Sequence, residues 1–295
     1  MYKIKVPATT ANIGPGFDSF GMALRMYNHF YIDYCQDLVI EGTHSNDWNN
    51  NLVYTSAMKV FKHYHQNDNF TKGLYLRFQT AIPQSRGLGS SATCVVGGVI
   101  GANLLLGQPY TKDELFKIAV SIEGHPDNIA PALYGGLNIS TLHGNQLLRK
   151  NIPVSPVFNY YVLIPNFEFS TQNARSLLPE KVDFTDAVGN ISSAVLLILS
   201  LMEGDGELLK SISPDTLHEP YRKKLIEDYD KIKGFAIKNG AFGCFLSGAG
   251  PSLLCITPQN IKFLNTMEND IQLLNHTWSI HELGIDHHGA TYTEE

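Results

Sequence analysis

The chain has 295 residues, 43% of them hydrophobic, 17% charged and 11% aromatic, a balance that can bury a substantial core and excludes a disordered or strongly solvated polypeptide. Its formal net charge of −6 comes with no basic stripe, so nucleic-acid binding has no electrostatic footprint and a small-molecule partner is expected. The longest apolar run, residues 194–202, is interrupted by Ser200 and falls far short of the ~20 residues that cross a bilayer, so it reads as a core helix and no membrane association is expected.

Residues 2–8 alternate apolar and polar as a half-buried strand does, then give way to a Gly/Pro-rich loop at 9–16. Further strands are expected at 30–34 and 74–80. Between them Val53, Ala57, Val60, Phe61 and Tyr64 recur at helical spacing behind Asn50, a cap candidate. Residues 90–106 are small and apolar nearly all round, as in a buried helix, with Gly107 as its stop. Thr111 and Glu114 form a capping box for a second helix ending near Gly124, so two helices follow one another with no strand between. The N-terminus lacks an apolar signal core, and Cys35, Cys94, Cys244 and Cys255 have apolar neighbours and no C-x-x-C pair, which predicts buried thiols in a cytoplasmic protein.

Two prolines and lost periodicity at 151–156 predict a division into domains 1–153 and 154–295. The second half then reads as a strand at 159–164, helices at 171–178, 186–202 and 221–239, and strands at 242–246, 252–257 and 276–283, with a helix at 261–269 before the last. Strand and helix mixed without a βα repeat predict α+β architecture, not a doubly wound sheet.

Three glycine-rich segments carry the chemistry. Pro83-Gln84-Ser85-Arg86-Gly87-Leu88-Gly89-Ser90-Ser91-Ala92 joins a strand to the buried helix. Glycines let backbone amides converge and a helix mouth adds about half a positive charge, a setting that suits phosphate. The same serines would serve equally as plain helix caps with no ligand. A P-loop is excluded because no lysine lies in the segment. Gly87-x-Gly89-x-x-Ala92 fits the dinucleotide fingerprint, but that motif requires a strand after the helix and here a helix follows. The second segment, residues 7–18, sets Asn12 and Asp18 on a Gly/Pro loop. The third, residues 242–252, is a glycine turn around Gly248 between apolar strands.

In this order the three segments resemble the GHMP kinases, and residues 6–18 with Glu123-Gly124-His125-Pro126-Asp127-Asn128-Ile129-Ala130-Pro131-Ala132 resemble the homoserine kinases within them. The resemblance runs from Val6 to about Thr257. It implies two α+β domains, the first like ribosomal protein S5 domain 2 and the second ferredoxin-like, with the active site between them and a homodimer as the assembly. It also implies transfer of the ATP γ-phosphate to the hydroxyl of L-homoserine with Mg²⁺, a step toward threonine. Residues 83–92 would then wrap the ATP phosphates, with Asn51 near adenine, and Ser91 and Glu123 would hold Mg²⁺. A carboxylate such as Glu123 is disfavoured at a helix C-terminus by the dipole, which adds to the functional reading. Asp18 would take the substrate amine, Arg175 and Arg222 its carboxylate, and Asn12, His125 and Gly248 would complete the site. Asn12, Ser91, Glu123 and Arg222 stand as the catalytic set. No general base is assigned: Asp127 is as well suited to capping a short helix. The ending 284–289 departs from the family pattern at His287 and His288, which receive no role.

Overall fold

Ten residues with Ile4, Val6 and Ala8 fully buried open the chain as strand β1 (Tyr2–Ala11) in a computed structural model that describes residues 1–42, 50–65, 73–144, 146–169, 171–259 and 262–295. β1 pairs antiparallel with β2 (Phe20–Cys35), and the register shifts between Pro7 and Ala8, where proline has no N–H to give the ladder. β2 also pairs with β4 (Gly73–Gln79), and β4 pairs in parallel with β3 (Val39–Glu41). β5 (Leu137–His143) joins the start of β2 and carries β6 (Gln146–Ile152) as a hairpin. The seventh strand, β11 (Thr291–Glu294), pairs with β1, so the end of the chain returns to the first sheet.

Four helices cover one face of that sheet: α1 (Leu52–His65), α2 (Ser90–Leu105), α3 (Lys112–Glu123) and α4 (Pro126–Tyr134). Phe30, Leu76, Phe61, Val95 and Val96 lie in one core cluster between them. α2 is buried on nearly every side, and a Cβ added at Gly98 would come within 2.4 Å of the Val53 carbonyl oxygen, which explains how a helix can lie so close to α1. The expected capping box is present at Thr111 and Glu114, and α3 ends on Gly124 at φ 90°.

The second layer is a four-stranded antiparallel sheet in the order β10 (Trp278–Glu282), β7 (Phe158–Pro165), β9 (Leu253–Pro258), β8 (Gly243–Leu246). α5 (Thr171–Ser176), α6 (Phe184–Glu203), α7 (Gly206–Ser211), α8 (Glu219–Arg222), α9 (Tyr229–Lys238) and α10 (Phe263–Asp270) complete it. Leu197, Ile198 and Leu201 of α6 share a cluster with Phe158, Tyr160 and Val162 of β7.

The structure corrects several expectations. The apolar run 194–202 belongs to a helix of 20 residues, long and apolar enough by length and composition to cross a membrane, and only 33% buried across its apolar window. It is an outer helix with one apolar face uncovered, at Phe184, Val188, Ile191, Val195 and Leu199. The helix expected at 221–239 is broken into α8, a 3₁₀ turn at Lys223–Leu225, and α9. The break places the fully buried Asp228 under the amides of Asn275 and His276, at 3.4 and 3.2 Å. Asn51, not Asn50, caps α1, its Oδ1 accepting from the Tyr54 amide at 3.1 Å. Cys244 and Cys255 are buried, but Cys35 is exposed and Cys94 half-buried. The expected helix start at 261 lies outside the described residues; α10 runs from Phe263.

Candidate active site

The mouth of α2 is open. Its N-cap is Gly89, at φ 66°, with no side chain capping it. The amides of Gly89, Ser90, Ser91 and Ala92 have no acceptor among the described residues, so the reading of Ser90 and Ser91 as plain caps does not hold. Four unpaired N–H groups at the positive end of a helix dipole make a seat for an anion.

The loop feeding that seat is braced from both sides. The Thr9 amide of β1 donates to the Leu88 carbonyl at 3.1 Å, and Ser247 Oγ from the second layer donates to the Gly87 carbonyl at 2.7 Å. A Cβ at Gly87 (φ 72°) would stand 2.1 Å from the Ser247 carbonyl oxygen, so only glycine fits. Arg86 borders the cleft, but its side chain is engaged by the protein itself. Its guanidinium donates to the carbonyls of Gln84, Pro165 and Asn166 and pairs with Glu168 at 2.6 Å, fastening the loop to β7.

Two cavities meet at Ser85, Ser90 and Ser91. The larger, about 470 Å³, is walled by Phe30, Leu52, Val53, Phe78 and Cys94, with Asn51, Gln84 and Thr80 supplying polar edges. The smaller, about 170 Å³, is lined by Asn12, Asp18, Arg86, Gly87, Leu88, Gly89, Glu123, His125, Asp127, Asn128, Arg175, Arg222 and Gly248. Pro83 and Ala92 line neither. The apolar chamber is large enough for a planar base and the polar cleft for an amino acid, with the helix mouth between them.

Ser91, in the first turn of α2, donates its hydroxyl to Glu123 Oε2 at 2.9 Å. Glu123 ends α3, and burial raises its pKa while the Ser91 bond opposes the rise. The pair sets a hydroxyl and a carboxylate side by side, the oxygen donors a hard cation prefers; no group of three His, Cys, Asp or Glu side chains able to hold a metal exists among the described residues.

Asn12, at φ 71°, spans the layers: Nδ2 donates to the Gly248 carbonyl at 2.7 Å and Oδ1 accepts the Asp18 amide at 3.0 Å. Arg222, 2% exposed, donates Nη1 to the same Gly248 carbonyl at 3.2 Å and lies over the Phe17 ring, 5.1 Å from its centroid. Asp18 and Arg175 are paired with one another, Nη2 reaching both carboxylate oxygens at 2.8 and 3.0 Å. Burial lowers the pKa of His125, and the Arg175 charge lowers it further.

Sequence reasoning underrated Asp127. The N-cap of α4 is His125; Asp127 is 5% exposed and accepts the Asn128 amide on Oδ1 at 2.9 Å. Burial, aided by the Asp18 charge, pushes its pKa up to about 7. Asn128 accepts the Thr9 hydroxyl at 2.7 Å, which fixes this corner to β1. In the sequence, Pro126 marks the first position of a short helix and so places Asp127 and Asn128 in its first turn.

Asp127 makes stability fall with pH. The unfolded carboxyl ionises near 3.8 and the folded one near 7, so between those values the folded state binds more protons and stability drops as pH rises, levelling off above 7. Melting Asp127→Asn beside the parent from pH 4 to 8 should show a shallower decline in the variant. Parallel curves would mean that Asp127 ionises normally.

Two α+β layers joined across a glycine loop at the mouth of a buried helix define a small-molecule kinase of the GHMP type. Residues 51–136 match the GHMP kinases N terminal domain model and residues 197–263 the GHMP kinases C terminal model. Homoserine kinases of Clostridium botulinum (strain ATCC 19397 / Type A) and Clostridium acetobutylicum are each 40% identical, over 293 and 296 residues, covering 98% of this chain and 98% and 99% of theirs. The crystal structure of homoserine kinase from Cytophaga hutchinsonii superposes with a TM-score of 0.87 at 27% identity, covering 99% of this chain and 96% of that one. Mevalonate kinase of L. major in complex with R-mevalonate, at 16% identity and a TM-score of 0.72 over 95% of this chain and 94% of its own, shares the fold. The chain belongs to the homoserine kinase family, within the GHMP kinases, and ATP use follows from that membership.

Proposed function

We propose that this chain transfers the γ-phosphate of ATP to the side-chain hydroxyl of L-homoserine, giving O-phospho-L-homoserine on the way to threonine. The observation that supports this best is that an uncapped helix mouth opens directly onto a cleft holding Asp18, Arg175 and Arg222, which suits a zwitterionic acceptor better than a sugar or an isoprenoid alcohol.

In this reading adenosine fills the larger cavity with Asn51 at its edge, and the triphosphate lies on residues 83–92. Phosphoryl transfer needs positioning and charge neutralisation more than covalent chemistry. Mg²⁺, when bound, neutralises charge on the transferring group, and Ser91 and Glu123 are the residues that would hold it. The Asp18–Arg175 pair holds the place of the substrate: homoserine exchanges that bond for one from its ammonium to Asp18 and one from its carboxylate to Arg175, with Arg222 as the second cation. Asn12 and Gly248 keep the two halves of the cleft in register, and His125 borders the reacting end. We assign no residue the role of general base. The working division of the chain is 1–153 and 154–295, with β11 returning to the first layer.

The test is ADP release coupled to a reporter, with homoserine, mevalonate and galactose compared as acceptors. Turnover on homoserine at least about a hundredfold above the others, near 2.7 kcal/mol of discrimination, is expected. Strong turnover on another alcohol with none on homoserine removes the assignment.

We also propose a cytoplasmic homodimer that binds neither nucleic acid nor membrane. The apolar row on α6 supports pairing with a second copy: five apolar side chains along it stand 40–85% exposed, while Asp186 and Glu203 are the only charges on the helix. Light scattering should give a dimer mass for the parent and a monomer mass for Ile191→Glu/Val195→Glu with unchanged circular dichroism. Equal masses would place the dimer contact elsewhere or nowhere.

A further inference from the structure

The guanidinium of Arg222 is held on two of its three nitrogens by the protein. Nε donates to the Ala174 carbonyl at 3.5 Å, and Nη1 donates to the Gly248 carbonyl at 3.2 Å and to His218 Nδ1 at 3.4 Å. Nη2 has no partner among the described residues, and Arg222 lines the smaller cavity. Because a guanidinium is planar, fixing Nε and both hydrogens of Nη1 sets the orientation of the whole group and leaves Nη2 as the end available to a ligand.

The partners of His218 allow it one protonation state. It is fully buried, and its Nε2 lies 3.0 Å from the Gly14 carbonyl oxygen, which can only accept, while Nδ1 faces a guanidinium, which can only donate. The proton therefore sits on Nε2, Nδ1 is a bare acceptor, and the ring is neutral. Asp215 Oδ2 stands 3.8 Å from Nε2, too far for a hydrogen bond, and is occupied by the amides of His218 and Glu219 at 2.8 and 2.7 Å. Burial lowers the His218 pKa and the Arg222 charge adds to this, against the carboxylates of Asp215 and Glu219. His218 caps α8 and Arg222 lies one turn on, so the two side chains share a face. The Phe17 ring stacks on His218 at 5.1 Å, with 23° between the planes, and packs under Arg222. His218 itself does not line the cleft.

We infer that His218 is a positioning residue for substrate recognition: as a neutral acceptor on Nδ1 it fixes Nη1 of Arg222 and so turns Nη2 toward the substrate carboxylate. The inference rests on the role proposed above for Arg222 as a cation for homoserine.

Two substitutions separate this role from a merely structural one. Glutamine places a terminal nitrogen where Nε2 stands, so His218→Gln keeps the bond to Gly14 and loses the acceptor for Arg222. Asparagine places its oxygen where Nδ1 stands, so His218→Asn keeps that acceptor and loses the bond to Gly14. The loop around Gly14 is still held in the second variant, since Asn190 Nδ2 donates to the Pro15 carbonyl at 2.8 Å and the Asp18 amide to Asn12 at 3.0 Å.

The experiment is steady-state ADP release, with homoserine and ATP varied in turn, on the parent, His218→Gln, His218→Asn, Arg222→Ala and the double variant His218→Gln/Arg222→Ala, together with a melting temperature for each. His218→Gln should raise the homoserine KM by about 3–10-fold, the value of one ordinary hydrogen bond, and leave kcat and the ATP KM within about twofold. His218→Asn should keep the homoserine KM within about twofold of the parent, even though its melting temperature falls for want of a donor to Gly14. Once Arg222 is alanine, His218→Gln should raise the KM no further, because a residue that acts through another has nothing left to act on. A parental homoserine KM in His218→Gln, a rise in His218→Asn as large as that in His218→Gln, or a further rise in the double variant overturns the inference and leaves the role of Arg222 standing. A parental homoserine KM in Arg222→Ala overturns both.

Discussion

Glu123→Ala should lower kcat by about 10²–10³-fold, the loss that follows removal of one preorganised stabiliser of transition-state charge, and shift Mg²⁺ half-saturation upward. Glu123 sits at the end of α3 with burial raising its pKa, and one of its oxygens is 2.9 Å from Ser91 Oγ. That carboxylate is stabilised only weakly in the free protein, so its place at the helix end is best explained by a cation it acquires later. Ser91→Ala should follow the same pattern with a smaller drop. The homoserine KM should move little in either variant, because neither side chain lies among the groups proposed for the zwitterion. A Glu123→Ala enzyme with parental Mg²⁺ dependence would remove Glu123 from the metal.

Arg222→Ala should act on the other axis, raising the homoserine KM by about 30–1000-fold, the 2–4 kcal/mol typical of truncating one partner of a buried charge pair, with a smaller effect on kcat. Arg222 is 2% exposed, held by the carbonyls of Gly248 and Ala174 and by the Phe17 ring. The Gly248 carbonyl keeps Asn12 as a donor in the variant, which limits the structural damage. Arg222→Lys should not restore affinity, since an ammonium cannot reproduce the planar fork that reaches carbonyl and ligand together. An ATP KM raised as much as that for homoserine would place Arg222 on the nucleotide instead.

What was legible in the sequence followed local rules. The helix mouth at Gly89 could be read because glycines, serines and an apolar run stand within a dozen residues, and the capping box at Thr111 because both partners lie one turn apart. The early part of β2 could not be read: Phe20 to Leu24 are buried on both faces, so the alternation that marks a half-buried strand is missing. The break between α8 and α9 depends on Asp228 meeting residues 275 and 276, a contact with no local signature. The same holds within the cleft. Asp18 and Arg175 were picked out singly, but their ion pair joins positions 157 apart, and the close approach of the Asp127 backbone to Gly21 of β2, where a Cβ would strike the Asp127 carbonyl oxygen, brings together residues more than a hundred positions apart.

The clamp on the phosphate loop has a consequence for how nucleotide affinity is lost. Gly87 is held by Ser247 and Arg86 by the backbone of Pro165 and Asn166, so the curvature of the anion seat is set when the two halves fold against each other and needs no reordering when a nucleotide arrives. Mild denaturant that loosens the seam should therefore abolish triphosphate binding while the four helices on the first sheet are still intact, and the seat cannot be transplanted as an isolated peptide or half-chain.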